Sequence, residues 1–205
     1  MPGPTLTTDA IVLAKRPPAD AFQTFTVFSA EHGPLLVLQR LSKKSAANAI
    51  AIDLFDEVSL SLENPNQGQS WFVKEARLLT RHTGLGRGYD VLQAASDLAR
   101  LFARNTVSEE SRPKVYTLLR EALAALAETN RPDIVYLKSL YRFARDEGYP
   151  VREHWFPALP AADRDNAVTL LNQPVAAQTA EPALVAKLRR RLEDYLRGNT
   201  EILLE

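Results

Sequence analysis

The hydrophobic period of this chain changes once, near Arg81, and that change dictates its architecture. Upstream, apolar and polar residues alternate, most cleanly where Val58, Leu60 and Leu62 are separated by Ser59 and Ser61. Such alternation puts one face of a strand in a core and the other in water. Downstream, apolar residues recur at helical spacing, as in Val91, Leu92, Ala95, Leu98, Ala99 and Phe102. A run of strands followed by a run of helices predicts an α+β fold.

Five strands are predicted, over residues 9–14, 23–29, 35–41, 55–63 and 70–80. Glu31-His32-Gly33-Pro34 punctuates the second and third, which reads as a hairpin. Five short antiparallel strands with one longer connection, over 42–53, fit a small closed barrel of the OB type best. An SH3-like barrel or a sandwich shares the pattern. Helices are expected over 89–104, from an N-cap at Ser111 with Pro113 in the first turn, over 134–147 stopped by Gly148, over 163–171, and from Pro182 to Gly198. The chain thus divides into a barrel, 1–82, and a helical domain, 83–205. The latter comprises a helix bundle over 88–150, an irregular stretch with a short helix over 151–181, and a C-terminal helix over 182–198. The alanine-rich stretch 175–183 reads as a loosely held linker, and Lys187, Arg190, Arg191 and Arg197 of the last helix as outward-facing.

Catalytic chemistry is poorly supplied. There is no cysteine among the 205 residues, which removes disulfides, thiolate zinc ligands and thiol nucleophiles. His32, His82 and His154 are scattered and read as ordinary surface histidines. Asp56-Glu57 and Glu109-Glu110 read as solvated edges, since sequence neighbours on a strand point apart. Thr83-Gly84-Leu85-Gly86-Arg87-Gly88 follows a strand and precedes a helix, as a phosphate loop does. No parallel strand follows that helix, so the crevice of a dinucleotide site is missing and a flexible hinge is the better reading. No cofactor, metal or catalytic residue is expected.

The 25 basic and 25 acidic residues cancel, so any nucleic-acid site has to come from local clustering. Lys15 and Arg16 end the first strand, while Arg40, Lys43 and Lys44 end the third. Strand ends meet in an antiparallel barrel, and these five read as one patch, with Arg81 and Arg87 as further phosphate contacts. Phe22, Phe25 and Trp71 are candidates for base stacking, although large apolar side chains in a small barrel mostly face inward. No apolar run is long enough to span a membrane and the N-terminus lacks a signal-peptide pattern, which predicts a soluble, cytoplasmic protein.

Thr8-Asp9-Ala10-Ile11-Val12-Leu13, Arg16-Pro17 through Asp20, Phe25 to Phe28 and Glu31-His32-Gly33 together resemble the opening of RecO, the bacterial recombination mediator family. The helical stretch closing with Glu147-Gly148-Tyr149 is similar as well, so the likeness covers about the first 150 residues. The resemblance implies an N-terminal OB-fold, a helical domain and a non-enzymatic mediator. Such a protein binds single- and double-stranded DNA, anneals complementary strands and helps load recombinase onto DNA coated by single-strand-binding protein. The partners implied are a RecR-like protein and the acidic C-terminal tail of single-strand-binding protein, in a nucleoid-associated setting. Arg16, Arg40, Lys43 and Lys44 match the family's basic positions. Two departures stand out. The four-cysteine zinc site that many members carry is replaced by Val151-Arg152-Glu153-His154-Trp155, held by packing through Trp155 and Phe156, and the basic excess is lost. The alternative is an adaptor of the repair machinery with little DNA binding of its own. Its tail groove would be apolar with a basic rim, for which Arg120, Arg131 and Arg142 are candidates. An enzyme built on the glycine-rich segment ranks third.

Overall fold

The computed structural model describes residues 3–41, 51–65 and 70–204. It is α+β, a five-stranded mixed sheet followed by helices. The strands are β1 (Thr5–Lys15), β2 (Phe22–Ser29), β3 (Gly33–Arg40), β4 (Glu57–Glu63) and β5 (Ser70–Thr80). The pairings run in a ring, β1–β2–β3–β5–β4 and back to β1, so the sheet closes into a barrel. All are antiparallel except β3–β5, which is parallel over Leu36–Leu38 and Ser70–Phe72. Thus the expectation of five antiparallel strands fails at one seam. The long connection returns β4 antiparallel to β1 and leaves β5 to close on β3 in the same direction.

Alternation decides what fills the barrel. Ala10, Val12, Phe25, Val27, Val37, Val58, Leu60 and Leu62 form its core, with Trp71 and Val73 packed against it. Phe25 is therefore an interior side chain and not a stacking platform, while Trp71 is half-buried against the same core. Two tight turns account for residues that looked like family signatures. Ala19 and Phe22 exchange backbone hydrogen bonds across Asp20-Ala21, and Asp20 takes a φ of 52°, a conformation aspartate tolerates well. At the next hairpin Ser29 Oγ accepts from the amides of Glu31 and His32, and Gly33 has a φ of 68°. A Cβ on Gly33 would stand 3.0 Å from Arg112 Nε, so space as well as backbone geometry asks for glycine there.

The fourth strand starts at Glu57, two residues later than the sequence pattern suggests. Phe55 has a φ of 66°, and the turn before the strand is knotted to a bulge in β1: Phe55 N–H donates to Val12 and Val12 N–H to Asp56. Asp56 and Glu57, expected to be solvated, are buried. Asp56 accepts from Arg81 at 2.8 and 2.6 Å and from the Asp53 amide at 2.8 Å; Glu57 accepts from the Tyr116 hydroxyl at 2.8 Å. Partners arriving from distant sequence overrode the surface preference of carboxylates. Asp56→Ala leaves the Asp53 amide without its acceptor and Arg81 without its counter-ion. Arg81 is half exposed, so water limits the loss to ~2–3 kcal/mol in a urea titration of the whole chain.

The helices are α1 (Tyr89–Arg104), α2 (Arg112–Glu128), α3 (Pro132–Asp146), the short α4 (Phe156–Ala158), α5 (Ala161–Asn172) and α6 (Pro182–Asn199). Gly148 stops α3 with a φ of 87°. The chain forms two compact units: Met1–His82 with Thr106–Tyr116, and Thr83–Asn105 with Thr117–Glu205. Residues 106–116, read from sequence as helical-domain chain, group with the barrel, where Tyr116 reaches Glu57 and Arg112 reaches the Glu31 carbonyl.

Inside the helical unit Phe102 of α1 and Phe143 of α3 meet edge to face at 5.2 Å, and both are fully buried. The glycine-rich segment is a 3₁₀ turn, Thr83–Arg87, rather than a free hinge. Leu85 is buried, Gly84 lies so close to the Ala127 carbonyl that a Cβ would clash, and Arg87 donates to the Leu126 carbonyl. The 175–183 stretch is also held, because Gln178 donates to the carbonyls of Leu170 and Gln173. Nor do Lys187 and Arg191 simply face water, since both pair with the buried Asp163 of α5.

On α6, Arg189 stacks over the Tyr136 ring at 4.3 Å and is held by Glu193 at 2.6 Å. Burial pushes the Tyr136 phenol up from 10 to about 12. A raised folded-state value favours the protonated form, so this stabilisation is complete below pH 10 and is lost as pH rises from 10 to about 12. An alkaline unfolding series should show that decline, and Tyr136→Phe should flatten it.

Candidate docking cavity

Helix α3 is buried on most sides, by Ile134, Val135, Tyr136, Leu137, Leu140, Tyr141, Phe143 and Ala144. One stripe remains, and it carries Lys138, Arg142 and Arg145 at helical spacing. Opposite them α5 presents Arg164, Val168 and Leu171, again a turn or two apart. A π-helical turn, Val151–Trp155, adds Arg152 and leads into Phe156. These side chains line a cavity of about 520 Å³, with no carboxylate in its wall. The π turn is fixed by aromatic packing: Trp155 and Phe156 meet at 5.1 Å, and Tyr141 packs on both.

The cations differ in how far they are neutralised. Arg142 pairs with Glu121 at 2.9 Å and Arg145 with Asp146 at 2.7 Å, both solvent-accessible pairs that contribute little and exchange readily. Lys138 donates to the carbonyls of Leu170, Leu171 and Gln173, the end of α5, where a helix favours positive charge. Burial, and then the neighbouring Arg142, lower its pKa from the usual 10.5. Arg164 binds the carbonyls of Phe156, Pro157 and Leu159. Arg152 has no hydrogen-bond or ion-pair partner among the described residues. Three positive charges therefore face the cavity without a counter-carboxylate. Its apolar surface comes from Tyr141, Phe156, Val168, which is 45% exposed, and Leu171. A ligand combining carboxylates with one or two large apolar groups matches this chemistry.

Of the rim residues expected from sequence, Arg142 lies here, Arg131 lines a different cleft, and Arg120 is exposed outside both. The spacing of Lys138, Arg142 and Arg145 was a readable signal. Arg152 and Arg164 were not, because only the fold brings the π turn beside α5.

Several of the expected DNA-binding residues have partners of their own. Lys15 pairs with Asp53 at 3.0 Å, and Arg81 is spent on Asp56 and on the Ala51 carbonyl. The Asp53 carboxyl is held below its ordinary value by the Leu54 amide and then by Lys15. Arg87 belongs to the helical unit. Lys43 and Lys44 lie outside the described residues. Arg16 and Arg40 are brought together: Arg16 N–H bonds to Thr24, and Arg40 stands opposite Phe22, so the two flank the start of β2. Both are exposed. Beside them Phe22 meets Phe72 of β5 edge to face at 5.6 Å, and both rings are half-buried.

No protein-family model matches this chain, and no curated protein matches it in sequence. Among the described residues no group of histidines and carboxylates could hold a metal ion, and no helix is long and apolar enough to cross a membrane.

Proposed function

We propose that this protein is a non-enzymatic adaptor of DNA repair that resembles the RecO mediators. Its helical unit captures the acidic, apolar-ended tail of a single-strand-binding protein in the α3–α5 cavity. The observation that carries this reading is the cavity itself, where Lys138, Arg152 and Arg164 have no carboxylate partner and stand around an apolar floor. Docking there would hold the protein on coated DNA, where a RecR-like partner and the recombinase act. The barrel is read as an OB-fold, supported by its ring order and by the parallel β3–β5 closure.

A second reading, direct single-strand binding and annealing by the barrel, is favoured by one arrangement. Phe22 and Phe72 sit beside Arg16 and Arg40 on β2, β3 and β5, and OB-folds use the face of strands two and three for oligonucleotides. Two phosphate contacts give weak affinity and a log–log salt slope of roughly −1.4. The discriminating experiment titrates the full chain with two labelled probes. One is a peptide of three aspartates followed by leucine and phenylalanine with a free C-terminus, and the other is an oligothymidylate. Saturable, salt-sensitive binding of the peptide, lost when lysines replace its aspartates, supports the adaptor. Absence of peptide binding at low salt overturns it, and tight oligonucleotide binding alone transfers the function to the barrel.

A further inference from the structure

Tyr141 stands in the wall of the α3–α5 cavity and is 8% exposed. Its ring is held from two sides, by Phe156 edge to face at 5.8 Å and by Trp155 at 6.1 Å. A phenylalanine would make the same ring contacts, so packing accounts for the ring and leaves the hydroxyl unexplained. That hydroxyl has no hydrogen-bond partner among the described residues. Burying a hydroxyl without a partner is unfavourable, and folded proteins rarely leave one in that state.

The wall around it is richer in donors than in acceptors. It contains no carboxylate, and the carbonyls of Leu170, Leu171 and Gln173 are taken by Lys138. Burial, outweighing the neighbouring Arg145 and Arg152, raises the Tyr141 phenol above its ordinary pKa. The phenol is therefore a donor throughout the neutral range, and a ligand has to bring the acceptor. Arg152, whose charge reaches the phenol, has no partner of its own among the described residues. Two unengaged donors thus share one side of the cavity.

We propose that Tyr141 is a specificity-determining residue of this cavity, its hydroxyl and the Arg152 guanidinium together donating to one carboxylate of the ligand. The two donors differ in kind. Arg152 supplies charge, which any anion satisfies, whereas a phenol fixed by its aromatic neighbours asks for an acceptor oxygen at one place. Together they select a seated carboxylate over a diffuse negative charge. This inference rests on the acidic-tail reading and adds to it the side chain that reads the acid.

The test uses the full chain with a carbon isotope label at tyrosine Cζ, titrated with the peptide of three aspartates, leucine and phenylalanine. The Tyr141 signal is assigned by its disappearance from the NMR spectrum of Tyr141→Phe. In the parent chain it should move as peptide is added and saturate together with the anisotropy. Tyr141→Phe keeps the ring and should weaken the peptide about tenfold, the scale of one hydrogen bond to a charged acceptor. Arg152→Gln should weaken it by a similar factor. The double variant should lose clearly less than the product of the two, because both donors hold one carboxylate. A purely structural tyrosine would give losses that multiply and a Cζ signal that stays still. If the peptide binds while the Tyr141 signal does not move, or Tyr141→Phe stays within about twofold of the parent, this inference fails and the acidic-tail reading stands. If the peptide does not bind the parent chain at low salt, both fall.

Discussion

Arg152→Glu combined with Val168→Asp should abolish acidic-tail binding, by about a hundredfold or more in fluorescence anisotropy. Arg152 brings a charge that no described carboxylate neutralises, and Val168 brings the most exposed part of the apolar floor. Losing a charge-assisted hydrogen bond costs ~1.5–3 kcal/mol, and each 1.4 kcal/mol is about tenfold in affinity. Reversal adds repulsion to that loss, and the new aspartate must be desolvated against the apolar end of the tail. Both positions are accessible and neither supports the fold, so thermal stability should change by only about 0.5 kcal/mol. This separates the pair from Arg164, whose three carbonyl bonds hold the turn before α5, and from Lys138, which caps α5. Affinity of the double variant within threefold of the parent would remove the cavity from the mechanism. Arg142→Gln and Arg145→Gln should have smaller effects, because Glu121 and Asp146 already share those charges.

Much of the fold was legible because it rests on periodicity. Val58, Leu60 and Leu62 alternate and do point into the barrel, and the helical spacing from Val91 to Phe102 marks α1, which runs over Tyr89–Arg104 as the pattern predicts. What stayed hidden depends on partners distant in sequence. The parallel β3–β5 seam is set by which strand returns to β1, and no local pattern encodes it. Asp56 and Glu57 read as surface because their partners, Arg81 and Tyr116, lie 25 and 59 residues away. The same distance hides the ion pairs of the barrel. Lys15 and Arg81 read as free cations in the sequence, and the fold brings Asp53 to one and Asp56 to the other.

Part of the resemblance to RecO is turn chemistry. Asp20 and Gly33, two of the residues that carry it, occupy left-handed backbone in tight turns. Any barrel with these hairpins would select such residues, so these matches report turn geometry. The proposed role in DNA repair therefore rests on the chemistry of the α3–α5 cavity and of the Phe22–Phe72 face.

Phe102→Ala should cost the helical unit about 3–5 kcal/mol of stability, the range for removing a fully buried ring. The side chain is fully enclosed, and its edge-to-face partner Phe143 sits on α3. Removing it opens a cavity that two packed helices cannot collapse without moving α3. Set against a total of roughly 5–15 kcal/mol for a domain, that loss leaves little margin. It also reaches the docking site, since Lys138, Arg142 and Arg145 occupy the stripe of α3 that Phe143 does not. Urea unfolding followed by far-ultraviolet circular dichroism measures the stability, and peptide anisotropy at low urea measures the site. Phe102→Leu restores most of the volume and should recover most of both. Should Phe102→Ala cost under ~1 kcal/mol while tail binding persists, the α1–α3 seam is not what positions the cavity, and α5 and the Tyr141–Trp155–Phe156 cluster must hold it instead.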